Sequence, residues 1–221
     1  VEGIDDGISK TWAEGSIEVK VGDDSLGYLA KGLLGGVASS ANGDGSHNHV
    51  FTLDNNAQHP TFTLFKSDPV QDYSYANSAL ESLDLNIEVG NYAMMEASFK
   101  GKKGVEVSLS PAYVAENNFL PKHTKVKIAD DVAGLDGATG ICVQKASLSF
   151  SKNLVDEQCL GSQDVKDYYN TLVAVEGALE LYYDKKDYHD ELFNDSKKAM
   201  RIEMENTDVT IGSSRHPKVV I

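Results

Sequence analysis

Strict alternation in four stretches constrains this chain more than any other feature. In "LESLDLNIEVGNYAMMEASFK", beginning at Leu80, one side of a strand carries Leu83, Leu85, Ile87 and Val89, and one side of the next carries Met95, Ala97 and Phe99. "KASLSFSKNL" places Ala146, Leu148 and Phe150 together, and "TLVAVEGALELYY" does the same for Val173, Val175, Leu179 and Leu181. A period of two puts successive side chains on opposite faces of a sheet, so each run is a strand with one apolar side. The pair Gly90-Asn91 suits a tight hairpin turn between the first two. The expected fold class is mainly β, antiparallel, with one or two flanking α-helices.

The polar sides of these strands are as regular as the apolar ones. They carry Ser82, Asp84, Asn86 and Glu88, then Glu96 and Ser98, then Lys145, Ser147, Ser149 and Ser151, then Glu176, Ala178 and Glu180. One such strand alone is a plain solvent-facing edge. Four together, small, serine-rich and net acidic, suit a wall past which a polyanion slides. Phosphates that meet carboxylates gain none of the counterion release that drives nonspecific nucleic-acid binding.

Around the hairpins, "GSIEVKV" alternates Ile17, Val19 and Val21 against Glu18 and Lys20, the pattern of a half-buried strand. "DDSLGYLAKGLLGG" follows. Its Leu26, Leu29, Leu33 and Leu34 form one helical stripe, Asp23 or Asp24 suits the N-cap, and Gly35-Gly36 is a stop signal. Gly27 and Gly32 inside it cost up to ~1 kcal/mol each relative to alanine, so packing must hold this helix. "HVFTL" and "TFTLF" read as strands, with "GVASSANGDGSHNH" and "KSDPVQDYSYANS" as polar loops. "DEQCLGSQDVKDYY" is a polar insertion, "KKDYHDELF" a short helix, "KAMRIEMEN" a strand and residues 207–221 a C-terminal tail. The two hairpins are alike enough to raise an internal duplication, about 13–104 and 105–206, within one domain spanning 1–221.

Chemistry-bearing motifs are scarce. Nucleophile-elbow, phosphate-loop and zinc-helix motifs do not occur, His47 and His49 lack further ligands nearby in sequence, and "GLDGATG" is a mobile loop and not a phosphate cradle. No catalysis, cofactor or metal is expected. Cys142 and Cys159 are expected to be free, mostly buried thiols. A formal net charge of −14 argues against an outer surface that seeks nucleic acid or an anionic membrane, and no apolar run is long enough to span a bilayer.

The order of elements resembles the tail tube (major tail) proteins of tailed bacteriophages. The resemblance rests on "AEGSIEVKVGDDSLGYLAKGLLGG", "HNHVFTLDNNAQHPTFTLFK" and "SALESLDLNIEVGNYAMMEASFKGKK", and more loosely on "ASLSFSKNL" and "AMRIE". It implies a β-sandwich or barrel subunit that assembles into stacked rings, hexameric or, if the duplication is real, trimeric and pseudo-six-fold. The hairpins would close into a barrel around a channel through which genomic DNA passes without specific binding. Asp84, Asn86, Glu88, Glu96, Ser147, Ser149, Glu176 and Glu180 would face that channel, and Leu26, Leu29, Leu33 and Leu34 would pack the helix on the sandwich. The loops Val37 to Ser46, Ser67 to Ser78 and Ala129 to Gly140, with both termini, would make ring-to-ring contacts. Expected partners are copies of itself and other tail proteins, with assembly in the host cytoplasm, residence in the virion tail and no membrane contact. The family usually carries sequence before the GSIE strand, so residues are expected ahead of Val1. Two alternatives accompany this expectation: the tube of a contractile injection or secretion machine, and a β-sandwich binding glycans or a host surface through its late tyrosines, Tyr168, Tyr169, Tyr182, Tyr183 and Tyr188.

Overall fold

The computed structural model describes residues 7–182, 186, 193 and 197–221. Its strands are β1 (Ala13–Lys20), β2 (Gly35–Ala41), β3 (His47–Leu53), β4 (Phe62–Lys66), β5 (Asp72–Glu88), β6 (Met94–Gly101), β7 (Val105–Val107), β8 (Thr124–Ala129), β9 (Gly140–Ile141), β10 (Val143–Glu157), β11 (Asp167–Leu181), β12 (Ala199–Glu205) and β13 (Lys218–Val220), with the helix α1 at Ser25–Leu34. The long sheet runs β1-β6-β5-β10-β11, and the first half of β5 also pairs with β4 and β7. A second sheet runs β13-β12-β8-β9, and β2-β3 forms a separate hairpin. The long sheet is open, ending at β1 and β11.

The alternating apolar residues make the core. Leu83, Leu85, Ile87, Met95, Ala97, Phe99, Ala146 and Leu148 from the long sheet are buried with Val126, Ile202 and Met204 from the second. The two sheets thus share one interior, as a sandwich does. α1 closes it: Leu33 is buried, and Leu26, Leu29 and Leu34 pack against the same cluster. Gly32 is there because a Cβ would fall 2.4 Å from the Phe62 ring. Gly27 has no such constraint, since its Cβ would meet Phe51 at an ordinary 3.7 Å.

The C-terminal end of α1 explains why so short a helix persists. Helices leave their last four carbonyls without intrahelical partners, and here all four are satisfied. Lys31 O accepts the Gly35 N–H, and Leu34 O accepts the Asp54 N–H at 2.7 Å. Gly32 O accepts from the Lys152 Nζ at 2.8 Å, and Leu33 O from His59 Nδ1 at 2.8 Å. Gly35, at φ +86, makes the left-handed exit that a side chain would strain. Lys152 is buried on the core side of β10, and burial pushes its pKa down to about 8. Its unfolded value is near ~10.4. The unfolded chain therefore binds more protons between these values, and stability should rise as pH climbs from about 8 toward 10.4, by roughly 3 kcal/mol in all. Denaturation midpoints of unassembled protein at pH 7.5 and 10 test this, and Lys152→Met should remove the rise.

Several sequence expectations are corrected. The β5–β6 connection is not a tight two-residue turn: Asn86 pairs with Met94, and Val89 is exposed beyond the strand end. Tertiary bonds pull the connection open, because Ala93 is drawn into the core by backbone bonds to Val21 and Phe119. Asp24 occupies the N-cap of α1 without a side-chain bond, and the Asp23 carboxylate instead accepts from Asn117. Much of the expected loop at Val37 to Ser46 is β2, and most of Ser67 to Ser78 is β5. The polar insertion is a connection over 158–166 whose two ends belong to β10 and β11, and the expected tail returns as β13 on the edge of β12. Cys142 and Cys159 are free but exposed, not buried. The "KKDYHDELF" helix falls on 185–193, which apart from Lys186 and Phe193 lies outside the described residues.

Candidate functional site

Pairing register converts the alternation of single strands into rows that cross the whole long sheet. One row on the polar face runs Glu18, Glu96, Asp84, Ser149, Glu176 from β1 through β6, β5 and β10 to β11. Beside it runs a hydroxyl row, Ser16, Ser98, Ser82 and Ser151, ending at Ala174. On the other flank lie Lys20, Met94, Asn86, Ser147 and Ala178, and beyond them Glu88, Lys145 and Glu180. Asp84, Asn86, Glu88, Glu96, Ser147, Ser149, Glu176 and Glu180 therefore all stand on this one face. Neighbouring strands are about 4.8 Å apart, so carboxylates in one row crowd each other.

Sequence reasoning missed the contribution of β1. Its alternation was plain, but nothing in a single sequence says that it pairs with β6. That pairing adds Glu14, Ser16, Glu18 and Lys20 to the polar face.

Cations are placed away from the acidic row. Lys100 pairs with Glu81, Lys20 Nζ sits 3.9 Å from the Tyr92 ring centroid, and Lys145 lies between Glu88 and Glu180. Among the described residues, Glu18, Asp84, Glu96 and Glu176 form no ion pair. The outward side of the second sheet is the opposite case. There Glu203 meets Lys127 at 3.0 Å, Arg201 at 3.6 Å and Lys218 at 3.8 Å. The hydrogen bond from Lys127 leads the effects that hold the Glu203 carboxyl below the usual range. One face of the subunit is built to neutralise its acids, and the other leaves them bare.

Elsewhere the structure gathers little that could act chemically. His47 and His49 stack on β3 at 6.3 Å, and among the described residues no group of three or more His, Cys, Asp or Glu could hold a metal ion. Among the described residues, the late tyrosines do not share one platform. Tyr168 is buried, donates to Gly101 O at 2.9 Å, and has its pKa pushed up to about 12 by burial. Tyr169, its neighbour on the strand, donates instead to Glu157 at 2.6 Å. Tyr182 is exposed, and Tyr183 and Tyr188 lie outside the described residues.

Among the described residues, the long sheet ends at edge strands β1 and β11, carries a bare polar face on one side and packs its centre on the core with the other, features that suit a subunit of a larger β structure. The chain belongs to the phage tail tube protein family, whose model matches residues 3–217. No curated protein matches the sequence. The protein is thus a structural component of a phage virion tail.

Proposed function

We propose that the subunits form hexameric rings that stack into the tail tube, with the polar face of the long sheet lining the channel through which the genome leaves. The carrying observation is the row from Glu18 to Glu176, which crosses the sheet from edge to edge and among the described residues forms no ion pair. Carboxylates left bare on a free subunit cost little in water. Around a channel they deny DNA phosphates any counterion release, and the serine row beside them offers only small neutral groups. Their mutual repulsion is moderated by Lys145, held between Glu88 and Glu180.

Six-fold symmetry fits better than a pseudo-six-fold trimer. Rotation about a ring axis keeps the axial direction of a strand. β5 and β10, the first strands of the two hairpins, are antiparallel neighbours, so no such rotation superposes one hairpin on the other. A local two-fold axis through the sheet relates them instead.

The contacts between rings are assigned to the connections at the sheet ends. These include the β2–β3 hairpin tip, where Asp44 is held by Arg215 at 3.2 Å, and the segment 129–140 with its 3-10 turn at Ala133–Asp136. Assembly with other tail proteins would take place in the host cytoplasm. Electron microscopy of purified protein tests the proposal: hollow tubes of uniform diameter are expected. Monodisperse monomers alone, even at high concentration, would contradict it.

A further inference from the structure

We infer that His59 is a proton-operated clasp: its ring ties α1 to the 54–61 connection through two donated hydrogen bonds, and gives up one of them when the ring loses a proton. Nδ1 stands 2.8 Å from Leu33 O, and Nε2 stands 2.9 Å from Asp54 O. Both partners are backbone carbonyls, which only accept. A neutral imidazole has one N–H and one lone pair, so it satisfies one carbonyl and turns the lone pair on the other. The imidazolium has two N–H groups and satisfies both. At 9 % exposure the ring leaves little room for water to replace a lost donor.

The surroundings suit a cation. Leu33 O belongs to the last turn of α1, the negative end of the helix dipole, where a protonated histidine is favoured. Gly35 makes room for the ring, since a Cβ there would fall 2.9 Å from His59 Cδ2. Four ionisable side chains stand on the elements around it. Asp54, just past β3, has its carboxylate on Asn56, and Asp167 on β11 accepts from Gln58, the residue before His59. These two favour the second proton. Lys31 in the last turn of α1 and Lys152 on Gly32 O oppose it.

The clasp reaches beyond the helix end. Ala57 O accepts the Asn170 N–H at 2.7 Å, and Gln58 donates to Asp167 at 2.5 Å, so the 54–61 connection is a strap from α1 to β11. Loss of a ring proton loosens the strap where it meets the helix. The second bond is present at acidic pH and lost as pH rises, opposite in sign to the effect of Lys152.

The test is amide hydrogen exchange of the full chain as unassembled subunits, at pH 5.5 and 9, corrected for the intrinsic rate at each pH. The Asp54 and Asn170 amides are bonded to Leu34 O and Ala57 O. Their protection should fall about ten-fold or more between the two conditions, the worth of one charge-assisted bond. The Ile202 amide, bonded to Ile221 O in the second sheet, is the control and should not fall. His59→Gln cannot gain the second proton, so its Asp54 and Asn170 amides should show no such fall. Ring 15N spectra of the wild type give a reading that needs no variant: two N–H groups on His59 at pH 5.5 and one at pH 9. A single ring N–H at pH 5.5, or equal protection of Asp54 and Asn170 at both pH values in the wild type, would overturn the clasp. Neither readout depends on ring assembly.

Discussion

Replacing Phe119 with alanine should lower the free energy of unfolding by ~3–5 kcal/mol, the range for emptying a buried aromatic site. Phe119 is 0 % exposed, and so are Val21 and Ala93. The three residues are joined in a closed circuit of backbone bonds: Val21 N–H to Ala93 O at 2.8 Å, Ala93 N–H to Phe119 O at 3.2 Å, and Phe119 N–H to Val21 O at 3.0 Å. This circuit ties the end of β1, the β5–β6 connection and the segment leading to the second sheet. A cavity there loosens three connections at once, with little room for any one to collapse into the gap. Chemical denaturation of unassembled subunits checks the value. Tyr113→Ala is the control, because Tyr113 lies in the same segment but is almost fully exposed, and a change there should stay within about 0.5 kcal/mol.

Reversing charge on the polar face should act on DNA and not on folding. Glu96→Lys with Glu176→Lys should leave tubes that assemble, since a lysine at 96 stands between Glu18 and Asp84 and exchanges repulsion for attraction. Repeated around every ring, those lysines would face phosphate. Each phosphate neutralised makes binding fall with a slope of about 0.9 in log K against log salt. Several contacts together convert a non-retaining channel into one that holds DNA at 50 mM salt and binds it roughly several hundred-fold more weakly at 200 mM. Retention of short duplex by purified tubes, measured across that salt range, is the readout. Virions carrying the pair should show at least about a hundred-fold loss of titre with DNA arrested in the tail.

Much of the fold was legible because its information is local. Alternation identified the strands carrying Leu83 to Ile87, Met95 to Phe99 and Ala146 to Phe150, and a leucine stripe identified α1. The eight polar residues named from sequence stand on one face for the same reason, since period two leaves them no other. What was not legible depended on partners distant in sequence. The first half of β5 reads as a polar loop, but β4 and β7 bond to it and make it a strand. Nothing near Val37 to Ala41 announces a strand either; it is one because His47–Leu53 folds back along it. The capping of α1 by His59 and Lys152 was invisible from sequence, because a lysine in an alternating strand normally points to water. Here its β10 position faces the core and finds an unpaired helix carbonyl. The exposed thiols were misjudged because cysteine is usually buried, while both of these lie at strand margins.

The central claim is that the sheet face bearing Asp84, Glu96 and Glu176 lines the channel. A cryo-electron microscopy reconstruction of the assembled tube, at a resolution that shows side-chain direction, tests it most directly. Those three residues should project into the channel, with the ion-paired face around Lys127 and Glu203 turned away from it. Finding that Asp84, Glu96 and Glu176 face the exterior, or are buried against a neighbouring subunit, would contradict it.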